Sequence, residues 1–152
     1  MRVFIVFLFS LLFLSTGCEK DPVVVPLGQQ IEGVWDVSSY ILTTAGSSTE
    51  FIMGNFNGAV TRMTMEFSSF EPADREGNLN VEIRFLGGQE YISPRFEYEI
   101  NSSETELETP NFFDATNAQQ IFWDIDRFIL NERLSLSTNL NGGNIKMELR
   151  PR

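Results

Sequence analysis

The sequence contains no histidine, a single cysteine and little positive charge. The absence of His excludes imidazole acid–base catalysis, triads that rely on imidazole and most zinc sites. One Cys forms neither an internal disulfide nor a thiolate metal cluster. The 11 Lys and Arg against 21 Asp and Glu give a net charge of −10, which argues against nucleic-acid binding because neutralising phosphates requires a basic surface. The composition therefore favours binding over catalysis and predicts no enzyme activity, cofactor or metal.

The first seventeen residues differ in composition from the rest of the chain. Arg2 is followed by residues 3–14, which are apolar except for Ser10. This run fits the 7–15 residues of a signal-peptide core, whereas a membrane-spanning helix needs about 20. We therefore predict that residues 1–17 are an export signal rather than a transmembrane anchor.

The end of this segment carries a lipidation motif. Leu14-Ser15-Thr16-Gly17-Cys18 resembles the lipobox of bacterial lipoproteins. The resemblance implies that Cys18 receives a diacylglyceryl group on sulfur, that cleavage occurs before it and that the new amino group is often acylated. Each buried CH₂ contributes about 0.8 kcal/mol, so two or three acyl chains would anchor the protein to a membrane. The alternative is an ordinary secretory signal followed by an incidental Cys.

The residues after Cys18 bear on where the protein resides. Glu19-Lys20-Asp21 resembles the post-cysteine signals of some surface lipoproteins of Gram-negative bacteria. We expect the outer membrane, with periplasm-facing and surface-exposed positions both open. Residues 18–30 contain Pro22 and Pro26, which favour extended backbone in the residues before them. They are predicted to form a semi-extended tether.

Residues 31–152 show the period-two alternation of β-strands. In the clearest segment, Leu79, Val81 and Ile83 alternate with polar residues. Such alternation indicates one buried and one solvated face, as in antiparallel sheets. The segments that alternate in this way are residues 35–41, 62–67, 79–85, 95–100, 121–126, 133–140 and 145–150.

The connections agree with an all-β domain. Asn141-Gly142-Gly143-Asn144 contains residues that tolerate positive φ, which predicts a hairpin between the last two strands. The best helical candidate is a single turn near residues 114–120. We predict a seven- to eight-stranded antiparallel barrel, with a β-sandwich as the alternative.

The start of the first strand carries a family signature. Gly33-Val34-Trp35 resembles the Gly-x-Trp motif of lipocalins. Together with the lipobox and a terminal hairpin ending near Arg150, it makes the chain similar to lipocalin-like domains of Gram-negative lipoproteins. The resemblance implies a lipocalin-like barrel that binds a small apolar ligand. It also implies that Trp35 packs across the closed end and that Arg150 covers it.

Two groups of carboxylates are candidate sites. Asp124 and Asp126 share one face of a strand, as a hard-cation or paired acid–base site requires. The alternative is a solvated strand face neutralised by Arg127 or Arg133. Glu104, Glu106 and Glu108 repeat the spacing and are typical of a charged edge strand.

Large apolar residues also occur where loops are expected. Several lie in the Gly/Ser/Asn-rich residues 43–58, and others follow Pro110. Such residues either fold over the barrel as a lid or extra strand, or form a binding mouth. The chain is thus predicted to be an anchored binding domain for a small apolar ligand, with an interaction or structural module of the cell envelope as the alternative. The candidate ligand- or partner-binding residues are Phe51, Met53, Phe56, Phe112 and Phe113.

Overall fold

The computed structural model describes residues 24–52 (backbone only for 50–52), 60–112, 119–140 and 142–152. One short helix precedes ten strands in this part of the chain. The elements are α1 (Leu27–Gln30), β1 (Gly33–Thr44), β2 (Ser47–Ile52), β3 (Val60–Glu71), β4 (Glu76–Phe85), β5 (Glu90–Ile92), β6 (Phe96–Ile100), β7 (Glu106–Pro110), β8 (Gln120–Ile129), β9 (Arg133–Leu140) and β10 (Gly143–Pro151).

Eight strands close into an antiparallel barrel in the order β1–β3–β4–β6–β7–β8–β9–β10, and β10 pairs with β1. The two remaining strands lie outside the ring, since β2 pairs with β1 and β5 with β4. The prediction of a seven- to eight-stranded antiparallel lipocalin-like barrel is confirmed, with eight strands in the ring, and the sandwich alternative is wrong. The predicted terminal hairpin is also present, with Leu140 opposite Gly143 and Gly142 at φ 77°.

The barrel interior is filled by the apolar set of the alternating strands. The ring of Tyr98 meets that of Phe67 edge-on at 5.3 Å between centroids. Eight-stranded barrels are just wide enough for side chains to fill them. The largest side chains with under 2% exposure are Trp123, Tyr98, Phe67, Ile31, Met65, Leu79, Ile100, Leu107, Leu134, Leu136, Met147 and Leu149.

Helix α1 plugs one end of the barrel, which we call the closed end. The backbone of Gly28 lies against the ring of Phe70, and Leu27 and Ile31 are buried. An isolated single turn is not stable in water, so this packing is what holds it. The predicted tether of residues 18–30 is therefore wrong at its C-terminal end, because the domain begins at Leu27.

The alternation predicted the barrel strands better than the outer ones. β2 lies within residues 43–58, which were interpreted mainly as a loop, and β5 was not predicted. β7 was predicted as an edge strand, but it pairs with both β6 and β8. Its buried Leu107 and Thr109 face the core and its glutamates face outward. Across the described ranges, no helix is long and apolar enough to cross a membrane.

Candidate functional site

The two ends of the barrel differ in how far their apolar residues are buried. We call the end opposite α1, where the β7–β8 and β9–β10 connections lie, the open end. On β4, Leu79 and Val81 are fully buried, whereas Ile83, two residues nearer the open end, is only partly buried. On β9, Leu134 is 1% exposed and Leu140 is partly buried. Ile145 and Phe112 are buried at this end, and the apolar residues that are only partly buried there, which we call the mouth, are Leu42, Ile83, Phe96 and Leu140.

The strand pairing explains the asymmetry. β1 pairs with β3 only over Gly33–Asp36, and from Ser39 onward its partner on that side is β2. β4 similarly changes partner from β6 to β5 along its length. The barrel wall is therefore continuous near α1 and divided near the open end.

Trp35 organises the closed end. Its side chain is 3% exposed, and its indole N–H donates to the Ile31 carbonyl at 2.7 Å. Arg150 is exposed and stands opposite Asp36, on the outer face of the barrel. The Trp35 indole is thus held by the residue after α1 rather than by the arginine that the family resemblance implied.

Polar groups fasten α1 to the loops around it. The Leu27 N–H donates to Oε1 of Glu104 at 3.0 Å, and the Phe70 N–H donates to Oε1 of Glu32 at 2.7 Å. Arg75 donates to the carbonyl oxygens of Ile100 and Asn101. These bonds satisfy backbone groups that would otherwise be costly to bury.

Some buried polar atoms at the closed end, Nε of Arg133 among them, have no such partner within the described residues. The Tyr98 hydroxyl is buried without a hydrogen bond to the described residues. Burial, and secondarily the negative charge of Glu32, raises the pKa of Tyr98 well above its ordinary value of 10.0. The phenol therefore stays neutral throughout the physiological range.

The structure brings one predicted binding residue into the core. Phe112 is 3% exposed and stacks on Trp123, with ring centroids 5.9 Å apart. The indole N–H of Trp123 donates to the Thr109 hydroxyl at 3.0 Å. Phe112 thus covers the core at the open end, as the lid interpretation predicted, and does not offer an exposed contact.

The other predicted binding residues are less fully described. Phe51 lies on β2, within residues 50–52, of which only the backbone is described. Met53, Phe56 and Phe113 lie outside the described residues, as do Cys18 and most of the candidate helical turn at 114–120.

The sequence did not identify the mouth as a site. Ile83, Phe96 and Leu140 belong to the alternating segments, Leu42 directly follows the segment 35–41, and none of the four is a candidate site residue from the sequence. The signal that distinguishes Leu140 is its place as the last inward residue of its strand, directly before a turn.

The carboxylate pairs lie on the outer face of the barrel. One oxygen of Asp126 accepts a hydrogen bond from the Ser137 hydroxyl at 3.0 Å. Glu99 stands directly opposite both Glu76 and Glu108 on the neighbouring strands. Within the described ranges, no three Asp or Glu residues are placed to hold a metal ion. Like charges opposite each other destabilise a sheet, so this glutamate row reduces stability unless it is screened.

Comparison with known proteins does not assign this chain to a family. The sequence matches no protein-family model, and no curated protein is significantly similar to it.

Proposed function

We propose that this chain is a lipid-anchored, non-catalytic binding protein of the cell envelope that takes a small apolar ligand at the open end of its barrel. Cys18 carries the acyl chains, and the export signal of residues 1–17 is removed. Because α1 follows the tether directly, the closed end is the end nearer the anchor and the mouth points away from it.

The observation that supports this proposal is the contrast between the two ends. The closed end is plugged by α1 and held by buried hydrogen bonds, while Leu42, Ile83, Phe96 and Leu140 at the mouth remain partly exposed. Apolar surface that faces inward yet is not fully covered favours an apolar ligand. Because the core is packed with side chains, we expect this ligand to bind near the mouth rather than deep in the barrel.

Binding of a neutral apolar fluorophore tests the site. Residues 24–152 contain every element of the described barrel, including the β1–β10 closure, and suit a detergent-free preparation. We expect N-phenyl-1-naphthylamine to gain fluorescence on binding, and Leu140→Asn to weaken binding by about tenfold or more because it puts an amide in the apolar mouth. Leu130→Asn is the matched control, since Leu130 is 55% exposed in the β8–β9 turn at the closed end. Equal affinities in wild type and Leu140→Asn would reject the mouth as the site.

The anchor has a separate test. Mass spectrometry of the full chain from membranes is expected to find acyl chains on an amino-terminal Cys18, and Cys18→Ser to abolish the modification and release the protein from the membrane fraction. An unmodified Cys18 in wild type contradicts the anchor. Protease treatment of intact cells separates a surface position, which is cleaved, from a periplasm-facing one, which is protected.

A second candidate is an interaction module that binds another envelope protein. It is favoured by Leu86 and Ile92 in the β4–β5 hairpin, which are 72% and 67% exposed. Native mass spectrometry distinguishes the two candidates. A co-purifying small molecule supports ligand binding, whereas an apo mass together with loss of a protein partner in Ile92→Asn supports the module.

A further inference from the structure

A groove of about 380 Å³ crosses the outer face of β8, β9, β10 and β1. Its volume lies within the range of about 300–1,000 Å³ that is typical of small-molecule sites. Its polar lining side chains and Ile41 face outward, whereas two further lining residues, Leu136 and Met147, belong to the buried core beneath it. The groove therefore lies outside the core and on a different part of the barrel from the mouth. The groove is lined by Ser39, Ile41, Asp126, Ser135, Leu136, Lys146, Met147 and Glu148.

The strand register arranges the polar groups in two rows. In one row Lys146 stands between Ser137 and Ile41, and in the other Glu148 stands between Ser135 and Ser39. Groups in a row are about 4.8 Å apart, and the rows are about 7 Å apart along the strands. This spacing is comparable to the width of a sugar ring.

Both strands that flank the groove are irregular beside it. The register of β1 with β10 shifts between Val37 and Ser39, and that of β8 with β9 shifts between Ile125 and Arg127. The extra residue in β1, Ser38, donates its hydroxyl to the Glu148 carbonyl at 3.1 Å. β-Bulges bend a strand and redirect its side chains, and they are frequent next to binding sites. Here they direct Asp126 and Ser39 toward the groove from opposite sides.

The groove offers hydrogen-bonding groups of both kinds. Asp126 uses one oxygen for Ser137, and its second oxygen has no partner among the described residues. Lys146 makes no ion pair within the described ranges, while Glu148 lies 3.7 Å from Arg133. An ammonium donor, a carboxylate acceptor and the Ser135 hydroxyl are therefore available to a ligand.

These groups favour one ligand chemistry. Two carboxylates beside a single lysine, in a chain of net charge −10, disfavour an anion. An amino-acid zwitterion is short compared with this groove, because the backbones of β8 and β10, which carry Asp126 and Lys146, lie about 10 Å apart with β9 between them. Sugar hydroxyls both donate and accept, and the CH face of a sugar ring packs on an aliphatic side chain such as Ile41. We propose that this groove binds a neutral saccharide.

The test is a titration of residues 24–152, labelled with ¹⁵N, with three neutral disaccharides: maltose, cellobiose and N,N′-diacetylchitobiose. We expect at least one to bind with millimolar affinity and to shift the amides of β1, β8, β9 and β10, while the amides around the mouth residues Ile83 and Phe96, on β4 and β6, do not move. Absence of shifts in the groove with all three sugars would overturn the proposal. Binding of glycylglycine in the groove in place of the sugars would also overturn it.

Variants of the groove establish the contacts. Asp126→Asn and Lys146→Met each remove one charged group from the solvated face and are expected to weaken saccharide binding by about tenfold. Asp74→Asn, in the exposed β3–β4 turn, is the matched control and is expected to bind as wild type does. Melting temperatures verify that all three variants fold. Unchanged affinity in both folded groove variants contradicts the assignment.

Discussion

The closed and open ends of this barrel are built from the same alternating strands, but they differ in how the core is covered and in how the strands are paired. At the closed end, α1 covers the core and each strand keeps both of its ring neighbours. At the open end, β1 and β4 exchange one barrel neighbour for an outer strand, and Leu42 and Leu140 stay partly exposed. The contrast indicates that stability is concentrated at the closed end, and it is the basis on which binding is proposed at the open end.

The largest effect is expected at Trp35. Trp35→Ala removes a side chain that is 3% exposed and leaves the Ile31 carbonyl without its donor, so it should cost about 3–5 kcal/mol. Trp35→Phe retains most of the apolar area and should cost about half as much. Urea unfolding measures both. A loss below about 1 kcal/mol for the alanine variant would contradict the central role of the closed end.

Two leucines of β9 compare the ends directly. Leu134→Ala is expected to cost about 3 kcal/mol because the residue is 1% exposed, and Leu140→Ala about 1 kcal/mol because it is only partly buried. Chemical denaturation of both variants checks the difference. Equal losses would show that the mouth is as well packed as the closed end.

Two strand glycines provide a smaller, steric comparison. A Cβ at Gly77 would lie 2.6 Å from the ring of Tyr98, which Phe67 and Phe70 hold in place. Gly77→Ala should therefore cost about 1–3 kcal/mol. At Gly143, a Cβ would lie 3.0 Å from Thr44 Cγ2 and 3.2 Å from the Thr43 carbonyl oxygen, a smaller overlap, so Gly143→Ala should cost less than Gly77→Ala, about 1 kcal/mol or below. Melting curves of the two variants test this order.

The smallest effect is expected at Tyr98, and it depends on pH. Because its pKa is raised in the folded state, its contribution to stability is complete below about pH 10 and is lost as the pH rises from there toward the folded pKa. Tyr98→Phe deletes an unpartnered hydroxyl, so we expect it to match or exceed wild-type stability at pH 7. Its stability should also fall less between about pH 9 and pH 11. An alkaline decline identical to that of wild type would show that another group is responsible.

The barrel strands could be predicted because a strand with one buried face has apolar residues at every second position, and this pattern is visible within a single segment. Leu79, Val81 and Ile83 indicate a strand before any partner is known. β2 and β5 carry no such pattern, since they lie outside the ring and need bury no complete face. α1 was missed because four residues give no helical periodicity, and it exists through the contact of Gly28 with Phe70, which is distant in sequence.

The candidate sites were less predictable for the same reason. Phe112 was correctly singled out as unusual, but only its stacking on Trp123 shows that it is covered. The groove depends on registers across four strands and on two bulges, and neither is visible in a single segment. Asp126 was singled out with Asp124, whereas its neighbour in space is Ser137 on β9.

The position of α1 has a mechanical consequence. Helix α1 precedes the first barrel strand, so tension applied from the amino-terminal side acts first on α1. At α1 this tension is resisted by the Leu27–Glu104 hydrogen bond and by the packing of Gly28 on Phe70. Neither contact is a hydrogen bond of the sheet. β1, the next element, is held along both edges by β10 and β3. Under load from the amino-terminal side, α1 should therefore detach before the barrel opens, so that the helix yields and the sheet stays intact.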